Sequence, residues 1–127
     1  MMSIHTSSDI ILVRQAVRQM AVELKFSLVE QTKIVTAASE IARNTLDHGG
    51  GGTVKMEIIN DANRKGLRLT FEDHGMGIAD IDLALQDGFT TGSGLGMGLS
   101  GAKRLMNEFE IVSQVGVGTK VAMTKWK

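Results

Sequence analysis

The chain has 127 residues, of which 43% are hydrophobic and 22% charged, and its 14 basic side chains balance 14 acidic ones. A balanced chain without a basic block lacks the electrostatic signature of a nucleic-acid binder or of a surface held to anionic lipid. The absence of cysteine removes both a disulfide framework and a thiolate metal site. The opening MMSIHTSSDI has neither the charged start nor the apolar run of a signal peptide. No apolar run approaches the ~20 residues of a membrane span, so the expected location is cytoplasmic. The length suits one domain over residues 1–127. With no proline or tyrosine, turns fall to Asn, Asp and the 15 glycines, most of which lie in four clusters.

Met2 to Thr6 reads as a short edge strand. Ser7, Ser8 and Asp9 offer N-cap oxygens to a helix whose inner face is Val13, Ala16, Val17, Met20, Ala21 and Leu24. A second helix opens near Ser27, with Glu30 as its capping-box partner. Its inner face is Leu28, Ile34, Val35, Ala38, Ile41, Ala42 and Leu46, and it ends at His48 with a glycine cap in the run 49–52. Thr53 to Asn60 alternates as a strand, and NDANRKG forms a polar hairpin loop. Leu67, Leu69 and Phe71 mark a second strand running into Asp73. A short helix around Ile81 to Gln86 leads to the glycine stretch GFTTGSGLGMGLSG, residues 88–101. Leu99 to Glu108 is helical in pattern, and GVGT joins strands Phe109–Val115 and Lys120–Trp126. Antiparallel strands beside helices predict an α+β domain of two layers, with the helices on one face of a mostly antiparallel sheet.

Four segments could carry chemistry. Glu40 and Asn44 in SEIARNTLDHG share one helix face at i, i+4, where a carboxylate can take a proton and an amide oxygen can meet a hard cation such as Mg²⁺. The same spacing also fits a solvated helix face. Asp73 ends a strand in EDHGMGI, where it can accept a bond from an exocyclic amine while Gly75 and Gly77 let a flat base approach; an Asp-Gly turn reads equally well. The stretch GSGLGMGL resembles a dinucleotide fingerprint but lacks the βαβ setting, and it lacks the Lys and Ser/Thr of a Walker loop. Glycine backbone entering a helix N-terminus still presents N–H groups suited to phosphate, although a flexible loop has the same composition. Gly116 to Thr119 alone is a hairpin turn. The three histidines have no second ligand at metal-binding spacing.

In this order, Glu-x-x-x-Asn at 40–44, Asp-x-Gly-x-Gly at 73–77, the glycine lid and helix at 92–98 and Gly-x-Gly-Thr at 116–119 resemble the four boxes of the GHKL ATPases. That superfamily includes gyrase B, MutL, sensor histidine kinases and the anti-sigma-factor kinases. The resemblance runs from about Asp9 to Trp126 and implies the Bergerat-type ATP-binding fold. It implies that Glu40 is the general base, that Asn44 holds Mg²⁺ and that Asp73 bonds the adenine amine with Thr119 assisting. Gly75 and Gly77 would give the base room. Gly94, Gly96 and Gly98, with the backbone of Met97 and Leu99, would wrap the phosphates of ATP. Within the superfamily, SEIARN, DGFTTGSGLGMGL and GAKRLMNEFEI are similar to the small serine/threonine kinases that phosphorylate STAS-domain antagonists in stress-response partner switching. The implied partners are a STAS-domain protein and a PP2C-type phosphatase, without nucleic acid or membrane. The same ATP-site residues also fit an anti-sigma factor that sequesters its sigma factor, a sensor-histidine-kinase fragment and a non-catalytic ATP-gated module. Position 76 is Met where many relatives carry Pro, and the lid between Ile78 and Gly92 is short.

Overall fold

Thr6 leaves extended backbone to cap helix α1, Ser7–Glu23, in a computed structural model that describes residues 1–81, Leu85 and residues 98–127. Thr6 Oγ1 accepts the Asp9 N–H at 3.2 Å, and Asp9 Oδ2 accepts the N–H groups of His5 at 2.8 Å and Thr6 at 3.1 Å. The cap is therefore Thr6 and not Ser7, Ser8 or Asp9, because Thr6 stands three residues before an acid that returns the bond. The bond from His5 is the main reason the Asp9 carboxyl is held below its ordinary range. Ile10, Val13, Val17 and Ala21 form the buried face of α1.

Ser27 caps helix α2, Leu28–Asp47, by accepting the Glu30 N–H at 3.2 Å. The buried strip of α2 is Ile34, Val35, Ala37, Ala38, Ile41, Ala42 and Thr45. Thr45 Oγ1 donates to the Ile41 carbonyl at 2.9 Å, so a hydroxyl enters the core with its hydrogen bond made. Leu28, expected on this face, is 71% exposed, since it lies in the first turn ahead of the strip.

The strands are β1 (Met2–Ile4), β2 (Gly52–Asp61), β3 (Arg64–Asp73), β4 (Glu108–Gln114) and β5 (Gly118–Trp126), and the third helix is α3 (Gly98–Leu105). The sheet runs β1-β2-β3-β5-β4 with every neighbouring pair antiparallel. Val54, Leu67, Leu69, Phe71, Val121 and Met123 alternate onto its inner face and are buried. Helices α1 and α3 both pack on α2, and α1 and α2 meet the strands from that one side. This is the expected α+β pair of layers.

Three boundaries differ from those expected. The β2–β3 loop is only Ala62 and Asn63, with Ala62 at φ 53, because Asp61 and Arg64 pair across it at 2.9 Å. Helix α3 stops at Leu105, short of the expected Glu108. Asn107 is drawn to the sheet, where its N–H reaches the Thr124 carbonyl at 3.0 Å and its Oδ1 takes the Trp126 N–H at 2.7 Å. The β4–β5 turn spans residues 115–117, so Gly118 and Thr119 of GVGT already belong to β5.

One charge lies inside the inner face. Lys125, 6% exposed, sends its Nζ to Glu30 Oε2 at 2.9 Å and to the Leu105 carbonyl at 2.9 Å. It joins the first turn of α2 and the Leu105 carbonyl of α3 to the sheet; the cation suits the C-terminus of α3, and the Glu30 carboxylate that it pairs with suits the N-terminus of α2. This bond draws Glu30 away from the expected capping box. The hydrogen bond from Lys125 holds the Glu30 carboxyl below its ordinary 4.5, against a smaller opposing effect of burial. A depressed carboxylate stabilises the fold above its ordinary value, and that stability is lost as pH falls through the lower folded one. Glu30→Ala should therefore cost about 2 kcal/mol at pH 7, trimmed by the partial exposure of the carboxylate. Urea unfolding of wild type and variant should show the gap closing below pH 4.5; a gap that holds to pH 3 would remove the ion pair as its cause.

Candidate functional site

The inner face changes character at one end of the sheet. Along β3 it reads Leu67, Leu69, Phe71 and then Asp73; along β5 from the other direction it reads Met123, Val121 and then Thr119; along β4 it reads Phe109, Ile111 and then Ser113. The register sets Asp73 opposite Thr119, and Thr119 opposite Ser113. Three polar side chains thus stand in one row across neighbouring strands.

Backbone donors fix the carboxylate. Asp73 Oδ1 accepts the Gly75 N–H at 2.9 Å and the Thr119 N–H at 3.3 Å. Neither bond uses Oδ2, which remains an acceptor for a ligand. Close backbone approach surrounds the group. A Cβ at Gly49 would fall 2.3 Å from Asp73 Cγ, and a Cβ at Gly75 would fall 2.7 Å from Gly49 Cα. Only glycine lets the end of α2, the aspartate and the following turn meet here.

The turn after Asp73 is stitched to the β4–β5 hairpin. Ser113 Oγ accepts the Ile78 N–H at 2.7 Å, and the Met76 carbonyl accepts the Gly116 N–H at 2.8 Å. Gly77 takes φ +78 with its α-carbon against Gln114, where a side chain would strike the Gln114 carbonyl. Met76 itself is 79% exposed. Ser113 Oγ and Thr119 Oγ1 lie 2.7 Å apart, and Ser113 Oγ also reaches the Gly118 carbonyl at 3.2 Å.

Helix α2 carries the other two polar candidates towards this end. Glu40 and Asn44 are half-buried beside the buried Ala37 and Ile41. The Asn44 carbonyl accepts the N–H groups of His48 at 2.9 Å and Gly49 at 3.3 Å, which ends the helix against Asp73. At 1.5 Å per residue, Asn44 and Glu40 stand about 6 and 12 Å back from His48 along the axis. Gly98 opens α3 at φ 51, and the Leu99 side chain enters the core. Gly94, Gly96 and Met97 lie outside the described residues, as does most of the segment from Ile81 to Gly92.

Asp73, Gly75, Gly77 and Thr119 are therefore brought into one junction, with Asn44 and Glu40 on the helix that ends beside it. Sequence reasoning missed Gly49 and Ser113. Gly49 was hidden in a run that reads as a helix cap. Ser113 was visible as the polar member of an otherwise apolar alternation, Phe109, Ile111, Ser113.

Residues 29–127 match the family described as histidine kinase-, DNA gyrase B-, and HSP90-like ATPase. Serine/threonine-protein kinase RsbT of Bacillus subtilis (strain 168) is 46% identical over 123 residues, covering 97% of this chain and 92% of that protein. An anti-sigma F factor of Thermoanaerobacter sp. (strain X514) is 36% identical over 118 residues, covering 89% of this chain and 82% of its own length. Among solved structures, the mycobacterial sensor histidine kinase MprB aligns with a TM-score of 0.57 over 76% of this chain and 71% of that one. At 18% identity that is a likeness of fold. With the family match spanning α2 to the last strand, and the Asp73 junction at its centre, the chain belongs to the histidine kinase-, DNA gyrase B- and HSP90-like ATPases.

Proposed function

We propose that this chain, acting as one domain over residues 1–127, is a Mg-ATP-dependent protein serine/threonine kinase whose substrate is a STAS-domain antagonist in a partner-switching pathway. The observation that carries the reading is the near-full-length similarity to RsbT, a named serine/threonine-protein kinase, at 46% identity. The geometry fits it. Asp73 offers Oδ2 to an adenine amine, Thr119 stands beside it, and Gly75 and Gly77 leave room for the base. A nucleotide held there by its base directs its phosphates along α2, past Asn44 towards Glu40.

Magnesium-bound ATP would supply the transferable phosphoryl group and much of the charge neutralisation. The chain would do the rest by positioning. Asn44 offers an amide oxygen to the cation. Among the described residues no group of three or more His, Asp or Glu side chains could hold a metal, so the cation would draw its remaining oxygens from phosphate and water. Gly94, Gly96 and Met97, together with Gly98 and Leu99, would give backbone N–H groups to the phosphates, as the family resemblance implies. Glu40 takes the proton of the incoming Ser or Thr hydroxyl as its oxygen bonds to the γ-phosphorus, and ADP leaves.

Similarity to anti-sigma F factors favours a second reading, in which the same site gates sequestration of a sigma factor. A further role, activation of a PP2C-type phosphatase, rests on the RsbT likeness. No helix among the described residues is long and apolar enough to cross a membrane.

Incubating the purified chain with [γ-³²P]ATP, Mg²⁺ and a STAS-domain protein should label a Ser or Thr of that protein. Glu40→Ala should slow the transfer by about 10²- to 10⁴-fold with ATP affinity nearly unchanged. Labelling that survives Glu40→Ala would remove Glu40 as the base. No labelling, with a sigma factor held in an ATP-dependent complex, would favour sequestration. Asp73→Asn should weaken ATP binding by roughly 10- to 100-fold in calorimetry, since a charged acceptor is replaced by a neutral amide. Unchanged affinity there would place the base elsewhere.

A further inference from the structure

We propose that the edge of β2 from Lys55 to Asp61 pairs antiparallel with the same edge of a second copy of this chain, about a two-fold axis at Ile58.

The edge is open because the first strand is short. β1 covers β2 only from Gly52 to Val54, where Ile4, Ser3 and Met2 lie opposite. β2 then continues to Asp61 with β3 on one side, and no strand among the described residues lies on the other. Residues 55–61 thus turn every second backbone N–H and carbonyl outward, over about 23 Å. Edges that stay single usually carry a proline, a bulge or a charge turned inward. KMEIIND has no proline, and it steps along β3 residue for residue to the hairpin, without a bulge. Its members on the helix-covered face are Met56, Ile58 and Asn60, none of them charged. Ile58 shares that face with Val54 and Leu67 yet is 48% exposed. It also shares a row with Lys125, which reaches the first turn of α2, and α1 ends at that same corner with Val22 52% exposed.

Symmetry leaves few registers, and charge separates them. Two copies of one strand keep their faces about a two-fold axis only when the opposed residue numbers are both odd or both even. A register centred on Met56 runs into Val54, whose outer side β1 already holds. One centred on Glu57 sets that carboxylate against its own copy, and one centred on Ile59 sets Glu57 against Asp61; like charges directly opposed are destabilising. Centring on Ile58 sets Lys55 against Asp61 at both ends, Met56 against Asn60, Glu57 against Ile59 and Ile58 against itself. This register alone uses the whole open edge, and each charge that meets another meets its opposite. Lys55 otherwise has Glu57 of its own strand at 3.6 Å and Asp61 has Arg64 at 2.9 Å, exposed contacts weak enough to be shared. Across the seam the two five-stranded sheets become one. The two Asp73 ends point in opposite directions and stay open.

Sedimentation equilibrium of the full chain between about 5 and 500 µM should show a reversible monomer–dimer balance, since so small a seam falls at the weak end of interfaces. Ile58→Lys brings two ammonium groups together on the axis and should leave the chain monomeric over that range, with its circular dichroism unchanged. Lys55→Glu alone faces Asp61 with a like charge, and Asp61→Lys alone does the same to Lys55. Each should weaken the dimer about tenfold. An equimolar mixture of the two should recover the wild-type affinity, because every new charge then meets its opposite on the other variant. These exposed charge variants decide the question should Ile58→Lys fail to fold. A wild type that stays monomeric to the highest concentration overturns the proposal and leaves the edge to a strand of some other chain. A dimer that a folded Ile58→Lys preserves overturns it as well, since the seam then lies elsewhere. So does a mixture that associates no better than either variant alone, because the register is then not the one derived.

Discussion

A polar side chain on the covered face of a sheet must find partners, because the helices above it exclude water. At one end of the inner face that demand falls on a register row of half-buried side chains, Asp73, Thr119 and Ser113. The row meets it almost entirely with backbone: the N–H groups of Gly75, Thr119 and Ile78, and the carbonyl of Gly118. Such groups are fixed by the sheet and by the turn that leaves β3. The carboxylate is thus oriented before any ligand arrives, with little side-chain freedom left to lose on binding. Glycine at 49 and 75 follows from the same demand, since the helix end and the turn must both touch Asp73.

The opposite end of the inner face is governed by a different pairing. Lys125 lies opposite Leu67 in the ladder, where another apolar residue would continue the stripe. Its ammonium instead ties the first turn of α2 and the last residue of α3 to β5. Nearby, the Trp126 indole N–H donates to Glu108, and Arg64 stacks 4.0 Å over the Trp126 ring. Charges at this end hold elements to one another, whereas those at the Asp73 end leave an acceptor open. The sheet is therefore polarised between a fastened end and a receptive one.

Much of this was legible from the sequence because period and capping chemistry are local. The apolar strip of α2, the Ser27 cap, the alternation through Phe71 and the strand-end position of Asp73 all follow from residues within a few places of each other. What escaped depends on a partner far along the chain. Glu30 has the right spacing for a capping box, but Lys125, 95 positions away, offers a full charge and draws it off. Gly49 reads as a helix stop, since nothing nearby announces that Asp73 will lie against its α-carbon. Thr6 was passed over for the three polar residues after it, although the Thr-x-x-Asp spacing that decides the cap was present. Asn107 continues the helical pattern of α3, yet β5, where it runs past the start of β4, claims its backbone.

Both ends of α2 are held by the groups just described, and this bears on how Glu40 and Asn44 are placed. Glu30 is fixed through Lys125 to the sheet, and Gly49 is pressed against Asp73. The two points lie about 28 Å apart along a helix that rises 1.5 Å per residue. A helix packed on the sheet and fastened at two such points cannot slide or rotate without breaking an ion pair or forcing backbone through backbone. The positions of Glu40 and Asn44 relative to Asp73 are then set by the helix as a ruler. On the proposed reading, such a ruler would hold a base at one end and a reacting phosphate at the other. Phosphoryl transfer depends on alignment more than on covalent participation, so rigidity between those two points is the property that the fold most directly supplies.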